Sequence, residues 1–410
     1  MDAINSGDTA WVLVSTALVM LMTPGLAFFY GGLVRRKNIL GVLMQCFMAL
    51  CVVTLQWVLA GYSLAFGKGS PFIGGLDWFF LHGVGAEPNA DYAATIPHQA
   101  FMIFQMMFAV ITPALIIGAF AERMKFSAYL VFLIAWSFLV YDPICHMVWA
   151  VGGMVRTWGA LDFAGGTVVH INAGVAALVS ALVLGKRYGI SGLSTHNLPF
   201  SVLGAALLWF GWFGFNAGSA LAAGGGLATS AFVATHVATA AAGLSWAIIE
   251  WIKSGKPTTL GVITGAVAGL VAITPAAGFV DVVGATAIGL LVSVFCFFAV
   301  SVIKAKFGYD DTLDAFGVHG IGGIWGALGT GLFATKAVNS AGADGLFYGN
   351  PAQLFIQLKA VLVTFVYSFI VTFIIMKVID VVMGLRVTQE DETMGLDLTQ
   401  HHERAYTILD

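Results

Sequence analysis

The sequence predicts an all-α polytopic membrane protein with eleven transmembrane helices. Hydrophobic residues fill 59% of the 410 positions and charged residues only 10%, whereas charged residues make up about 25% of an ordinary soluble domain. Uncharged runs long enough to cross a bilayer alternate with short breaks that hold charges, Gly or Pro. The net charge of -3 leaves no basic stripe for nucleic acid. A soluble globule and a nucleic-acid-binding protein are therefore both disfavoured.

The predicted spans follow one another along the whole chain. They begin near residues 11, 39, 98, 126, 164, 197, 228, 258, 282, 315 and 352. The first span, Trp11 to Val34, follows Asp2 and Asp8 and ends at the basic cluster 35–37. A cleavable signal peptide has its basic residues before a shorter apolar stretch, so we interpret this segment as a permanent span.

The basic residues predict the orientation. With the N-terminus outside, the outer breaks hold Lys68, Arg156 and Lys336, and the cytoplasmic breaks hold Arg35, Arg36, Lys37, Arg123, Lys125, Lys186, Arg187, Lys253, Lys256, Lys304 and Lys306. Because cytoplasmic loops are enriched in Lys and Arg, the N-terminus is expected outside and the C-terminus in the cytoplasm. The predicted domains are a transmembrane domain, 1–385, and a cytoplasmic tail, 386–410.

Two histidines lie inside uncharged runs. His170 stands in LDFAGGTVVHINAG, residues 161–174, and His319 in FGVHGIGG, residues 316–323. An imidazole at membrane depth is costly and usually marks a functional path, although a core histidine bonded to a carbonyl is the alternative. Spans five and ten hold one histidine each, which predicts two inverted five-helix repeats plus a C-terminal helix, with the substrate site where the repeats meet.

Glycines at regular spacing predict close helix packing. Small residues let helix backbones approach each other in lipid. The two stripes are Gly261, Gly265 and Gly269, and Gly317, Gly320, Gly323, Gly326 and Gly329.

Eight ordered stretches carry a family resemblance. They are residues 23–38 (TPGLAFFYGGLVRRKN), 118–126 (GAFAERMKF), 146–149 (HMVW), 159–173 (GALDFAGGTVVHINA), 211–219 (GWFGFNAGS), 274–278 (TPAAG), 316–320 and 384–406. In these stretches the chain resembles the ammonium transporter family, the Amt/Mep/Rh group, in its bacterial and archaeal Amt type. The resemblance implies a homotrimer in the plasma membrane with one pore per subunit. It implies neither an enzyme nor a cofactor or metal.

The resemblance implies an outer site for ammonium or methylammonium, formed by Phe104, Phe108, Trp149 and Ser219. An aromatic cage attracts a compact cation by about 0.5–2 kcal/mol per favourable ring. Potassium would use the rings equally well but cannot donate a hydrogen bond to Ser219. Trp149 is expected to supply an aromatic face without bonding the backbone.

A gate and a pore are implied below that site. Phe108 and Phe215 match the stacked aromatic pair that closes the pore mouth. His170 and His319 match twin pore histidines that share a hydrogen bond. A dehydrated cation would cost several kcal/mol in such a channel, so the resemblance implies that ammonium loses its proton at the gate and ammonia passes on. An imidazole can relay that proton.

Other matched positions are expected to support the pore. These are Asp162, which ties down loop backbone, and Tyr141, Trp212 and Thr274. Asp314 is predicted to cap the helix of span ten. The tail resembles a segment that docks PII-type signalling proteins.

Two positions depart from the family pattern. His402 replaces a tail glycine, which puts the turn there in doubt. Asp142 adds an acidic group where many relatives are apolar, and the sequence alone assigns it no role.

Two other classes of function remain open. An ammonium sensor would keep the fold and usually carry an appended signalling domain, for which the residues after Gly384 leave little room. An intramembrane enzyme or metal site would need a nucleophile, an HExxH run or a third ligand beside the histidines, and none is evident. His236, the remaining histidine well inside a span, is predicted to be a packing residue.

Overall fold

A computed structural model describes residues 4–189 and 195–406, and these residues form helices and loops without a β-strand. Asp2 and the last residues of the predicted tail, 407–410, lie outside the described residues. The α-helices are α1 Ser6–Leu33, α2 Ile39–Gln56, α3 Tyr62–Phe66, α4 His98–Phe120, α5 Phe126–Trp136, α6 Asp142–Trp149, α7 Met154–Thr157, α8 Asn172–Leu184, α9 Leu198–Ala217, α10 Leu227–Ser254, α11 Thr259–Ile273, α12 Val282–Phe298, α13 Lys304–Phe307, α14 Ile321–Phe333, α15 Pro351–Met383, α16 Gln389–Met394 and α17 Leu396–His401.

Nine segments of the described chain are long and apolar enough to cross a membrane. They are Ser6–Leu33, Arg36–Phe66, His98–Phe120, Phe126–Thr157, Gly166–Leu184, Leu198–Ala220, Leu227–Ser254, Val282–Phe307 and Pro351–Met383. Two further expected spans are shorter: α11 has 15 residues and α14 has 13. The all-α, multi-pass membrane fold is thus confirmed, while the count of eleven spans stays a prediction.

Five π-helical turns lie within or at the start of the described helices: Trp57–Gly61, Ser137–Tyr141, Gly166–Ile171, Ala299–Ile303 and Phe316–Gly320. Such turns are rare and occur frequently at functional sites. One of them holds His170 and another holds His319. Both histidines therefore lie where the regular helix is locally widened.

Glycines lie at the helix contacts, as their spacing predicts. A Cβ atom at Gly174 in α8 would collide with the backbone of Gly320, and one at Gly323 would lie 3.0 Å from the Cβ of His170. In α11, a Cβ at Gly269 would lie 2.6 Å from the Cβ of Ala242 in α10. These contacts leave no room for larger side chains, so the two histidine-bearing segments pack directly on each other.

The tail segment docks on the loop between α1 and α2 and on the first turn of α2. The backbone N–H of Leu396 donates to Asn38 over 2.8 Å, and the N–H of Gly41 donates to Asp397 over 2.8 Å. At the end of α17, His402 adopts a left-handed φ of 55°. The turn normally made by glycine therefore forms with histidine, at a cost of about 1–2 kcal/mol.

Candidate functional site

Three cavities follow one another through the helix bundle. We call the end that carries residues 67–97 the loop end, and the end that carries the tail the tail end. The loop-end cavity has a volume of about 180 Å³, the middle cavity about 10 Å³ and the tail-end cavity about 200 Å³. His319 lines both the middle and the tail-end cavity. The constriction between two wide vestibules is typical of a narrow conduit.

Trp149 and Ser219 both line the loop-end cavity. The Ser219 hydroxyl donates to the carbonyl of Phe215 over 2.8 Å, so its lone pairs are free to accept a hydrogen bond from a ligand. Trp149 Nε1 donates to the carbonyl of Asp162 over 2.9 Å. The expectation that Trp149 has no backbone partner is therefore wrong: its indole N–H faces the loop before the Gly166–Ile171 turn.

Several residues that line this cavity were not predicted as site residues from the sequence. The cavity is also lined by Phe66, Asp91, Tyr92, Phe101, Gln105, Arg156, Phe163 and Leu221. Oε1 of Gln105 is buried and has no hydrogen-bond partner in the described chain, so it offers a second acceptor to a donor ligand. Phe104 is fully buried, does not line this cavity and lies behind Phe108 with ring centroids 5.0 Å apart.

Two phenylalanines lie between the loop-end and middle cavities. The ring centroids of Phe108 and Phe215 are 4.3 Å apart, with the planes tilted by 38°. Phe108 also meets the Trp149 ring edge-on at 5.8 Å, and Phe215 lines the middle cavity. Both phenylalanines are at most 1% exposed, so their ring contact is buried between the two cavities.

The structure brings His170 and His319 together in the middle cavity. Their ring centroids are 5.4 Å apart and their planes differ by 15°. Both ring nitrogens of His170 are buried without a hydrogen-bond partner among the described residues. The expected hydrogen bond between the imidazoles is therefore absent: the rings lie side by side without placing a donor nitrogen against an acceptor.

Trp212 and Thr274 orient the first histidine. The indole of Trp212 stacks on His170, with centroids 5.3 Å apart and 17° between the planes. Its Nε1 donates to the Thr274 hydroxyl over 2.8 Å, and that hydroxyl donates to the carbonyl of Leu270. These hydrogen bonds hold the Trp212 ring against the face of the His170 imidazole, which leaves both ring nitrogens available.

An aspartate holds each histidine-bearing turn. The Asp162 carboxylate accepts the backbone N–H groups of residues 165–168, and Asp311 accepts those of Ala315 and Phe316. Each histidine follows its aspartate by eight residues, 162 to 170 and 311 to 319. Burial raises the pKa of Asp162, and hydrogen bonds to Thr167, Gly165 and Gly166 offset part of that effect.

The predicted cap at Asp314 is wrong. Asp311 occupies the capping position, because Asp314 has a left-handed φ of 59° and turns its carboxylate to Lys304 at 2.6 Å. Burial, together with the charge of Asp314, raises the pKa of Asp311.

Tyr141 lines none of the three cavities, in contrast to the position around the pore that the resemblance implies. It is buried and packs near Trp57, with ring centroids 6.2 Å apart. His236 lies on the outer surface of the bundle, where its ring packs at 5.3 Å from Trp209.

An ion-pair network lines the tail-end cavity. Glu122 pairs with Arg35 at 3.1 Å and with Arg187 at 2.9 Å, and Arg187 pairs with Asp310 at 2.8 Å. Burial raises the pKa of Asp310, but hydrogen bonds and charge from Arg187 outweigh it and lower the pKa to about 2. Burial also raises the pKa of Glu122, but the charges of Arg35 and Arg187 outweigh this effect, and the pKa is lowered. The tail-end mouth is thus charged and rigid.

No group of three metal-ligating side chains occurs in residues 4–189 and 195–406. The intramembrane metal hypothesis therefore finds no ligand set beside the two histidines in that part of the chain.

Comparison with known proteins identifies the family. A model of the Ammonium Transporter Family matches residues 10–406. An ammonium transporter of Bacillus subtilis (strain 168) is 56% identical over 400 residues, which cover 98% of each chain. The crystal structure of Candida albicans Mep2 is 37% identical with a TM-score of 0.90 and covers 98% of this chain and 91% of that one. A solved structure named Sensor Amt Protein is 30% identical with a TM-score of 0.88, covering 96% and 98% respectively. The chain belongs to the ammonium transporter family.

Proposed function

We propose that this chain captures ammonium in the loop-end cavity, removes its proton at the Phe108–Phe215 gate and conducts ammonia past His170 and His319. Family membership makes the chain an ammonium transporter and not an enzyme. The observation that carries the finer mechanism is the order of the groups: an aromatic vestibule with acceptors, a closed aromatic contact, and a constriction that holds two imidazoles.

Capture rests on groups that suit a compact cation with four N–H donors. The Trp149 ring supplies cation–π attraction of about 0.5–2 kcal/mol, and Phe108 meets that ring edge-on. Ser219 and Gln105, which both line this cavity, supply acceptor oxygens. Potassium can use the ring but offers no hydrogen to these oxygens. The hydrogen-bond acceptors therefore provide the discrimination, and methylammonium, which keeps three N–H donors, is expected to bind as well.

Passage favours the neutral molecule. The middle cavity is lined by apolar side chains, the two histidines and Trp212, and its volume of about 10 Å³ leaves no space for a hydration shell. Moving a bare cation into such surroundings costs several kcal/mol, more than the rings of the vestibule return. Ammonia avoids this cost, so the proton has to leave at the gate.

The histidine pair is the proposed route for that proton. An imidazole has an ordinary pKa near about 6.5 and exchanges protons readily. Both ring nitrogens of His170 are free of other partners, so in the neutral imidazole the unprotonated nitrogen can accept a hydrogen from ammonia or ammonium while the other nitrogen donates one. The proton either crosses separately along this pair or returns to the vestibule.

The membrane location, the orientation and the assembly are inferred from the charge distribution and from the family. We place the protein in the plasma membrane of a bacterium or archaeon, surrounded by lipid, with the loop end outside and the tail in the cytoplasm. A homotrimer with one pore per subunit is proposed, with a PII-type signalling protein docking at the tail end. The predicted division into residues 1–385 and a regulatory tail, 386–410, belongs to the same proposal.

A sensor is the second candidate function. Its support is the similarity to the solved structure named Sensor Amt Protein over nearly the whole of both chains. A sensor would bind ammonium in the same vestibule but pass little or none of it.

Electrical recording from reconstituted protein separates the two candidates. Addition of ammonium, methylammonium and potassium to proteoliposomes on a supported membrane is expected to give currents with the first two and none with potassium. Stopped-flow alkalinisation inside vesicles would detect ammonia that enters without charge. Protein that binds ammonium but gives neither signal is a sensor, and potassium current equal to ammonium current would contradict the proposed vestibule.

A further inference from the structure

A buried polar pair lies outside the three cavities, between α2 and α6. Gln56 is the last residue of α2 and Asp142 is the first residue of α6. Gln56 Nε2 donates to Oδ2 of Asp142 over 2.7 Å. Asp142 is fully buried and Gln56 is 5% exposed, and each lies well inside a membrane-spanning segment. Nothing in the proposed transport mechanism uses either group.

The surrounding backbone is shaped around this pair. The π-helical turn Trp57–Gly61 begins directly after Gln56, and the turn Ser137–Tyr141 ends directly before Asp142. A Cβ atom at Gly61 would lie 2.6 Å from Nε2 and 2.7 Å from Oε1 of Gln56. The glycine therefore leaves the space that the carboxamide occupies. Two irregular turns and a glycine at one polar contact indicate a specific site rather than incidental packing.

The hydrogen bonds of the pair do not balance if Asp142 is ionised. Both oxygens of a carboxylate can only accept hydrogen bonds, and the same is true of the oxygen of a carboxamide. Oδ1 of Asp142 and Oε1 of Gln56 are both buried without a donor in the described chain. No ion pair among the described residues involves Asp142. An uncompensated charge at membrane depth is strongly unfavourable.

Neighbouring titratable groups do not supply the missing charge. Tyr141 and Cys145, on the segment of Asp142, are buried and uncharged at neutral pH. On the facing α3, Tyr62 is also uncharged and bonds His98 over 2.6 Å. Compensation therefore has to come from a bound species.

One proton satisfies both free oxygens. If Oδ1 of Asp142 is protonated, it can donate to Oε1 of Gln56 while Gln56 Nε2 still donates to Oδ2. We propose that Asp142 and Gln56 form an intramembrane proton-binding site, in which Asp142 is a neutral carboxylic acid paired with the carboxamide through two parallel hydrogen bonds. A hard metal cation fits less well, because it needs more oxygen ligands than the two that are free here.

Infrared spectroscopy of the purified full-length protein tests the proposal. At about pH 9, where ordinary carboxyl groups are ionised, the parent protein is expected to show the carbonyl stretch of a protonated carboxylic acid that shifts in D₂O. Asp142→Asn should lose this band and keep its fold, because asparagine can still pair with Gln56. Asp77→Asn, at an exposed position, is the matched control and should retain the band.

A second variant keeps the test informative if Asp142→Asn does not fold. Gln56→Leu should retain the acid but shift its band, because the carboxamide partner is gone. A band of equal intensity in Asp142→Asn, or an unshifted band in Gln56→Leu, overturns the proposal. The absence of the band from the parent protein also overturns it. A thermal midpoint that then rises with sodium or potassium in the parent protein, but not in Asp142→Asn, would identify a metal cation as the occupant.

Discussion

Trp149 combines two roles in one side chain, a ring on the loop-end cavity and a hydrogen bond to the Asp162 carbonyl. Trp149→Leu should raise the ammonium concentration for half-maximal current roughly two- to thirtyfold, the equivalent of about 0.5–2 kcal/mol of cation–π attraction. Trp149→Phe keeps a six-membered aromatic face but loses the five-membered ring and its N–H, so its shift should be smaller than that of Trp149→Leu. Concentration series of ammonium currents measure both variants. Equal behaviour of Leu and Phe would mean that the ring does not hold the cation.

His170 and His319 are expected to act together. His170→Ala and His319→Ala should each impair discrimination between ammonium and potassium more than they impair folding, because both imidazoles line the middle cavity. The double variant should resemble the single ones, since two groups that pass one proton work as a unit. Potassium and ammonium currents, with thermal midpoints as the folding control, measure this. Additive losses with selectivity intact would assign the histidines to packing.

Single residues differed in how well the sequence predicted them. The pairing of His170 with His319 and of Trp149 with Ser219 followed from the family pattern, and the structure places each pair at a common cavity. Gln105 and Phe163 were missed, because cavity membership depends on helix rotation and on loop placement. The direction of the Trp149 indole N–H and the missing hydrogen bond between the imidazoles depend on side-chain rotation, which a motif does not encode.

Among the helices, the contact of α8 with the turn Phe316–Gly320 leaves no space for an added methyl group. Gly174→Ala places a methyl group against the backbone of Gly320, and backbone cannot move aside as a flexible side chain can. The expected loss of stability is about 1–3 kcal/mol, visible as a lower thermal midpoint in detergent. Gly243→Ala, where the nearest atom would be 3.4 Å away, is the matched control and should be neutral. Equal midpoints for both variants would refute the tight contact.

The segments at the tail end should become less stable at low pH through Asp310. Its pKa of about 2 in the folded protein lies below the ordinary value near about 3.9, so its ionised form stabilises the fold above about pH 4, and this contribution disappears as the pH falls towards 2. Asp310→Asn should therefore cost about 2 kcal/mol at pH 7 and little near pH 2. Thermal midpoints across this range measure the effect. A difference independent of pH would indicate lost packing.

Helices were predictable where hydropathy alone determines their position. The uncharged runs located the long helices, but α1 begins at Ser6 rather than near residue 11, because Asn5 caps its first turn. The π-helical turns leave no signature in a hydropathy pattern. The sequence predicts Asp314 as the cap of the turn Phe316–Gly320, but Asp311 caps it. The difference arises from the left-handed backbone of Asp314, which the acidic cluster in the sequence does not specify.

For the whole molecule, the tail joins segments that are distant in sequence. Arg386 pairs with Glu392 at 2.8 Å, and Glu392 accepts the backbone N–H of Tyr188 over 2.6 Å. Deletion of Arg386 to Asp410 should change ammonium flux without preventing membrane insertion, because the deleted contacts lie outside the predicted spans. Flux with and without a PII-type protein, measured at matched protein levels in the membrane, tests this. Identical flux in all four conditions would reduce the tail to a solvated end.

The middle cavity of about 10 Å³ has a consequence for the osmotic balance of the host cell. A cavity of this size holds about one water-sized molecule, so a continuous file of water cannot form across it. Without such a file, bulk osmotic flow through the protein is blocked. A cell can then insert many copies of this protein into its membrane while its turgor stays intact.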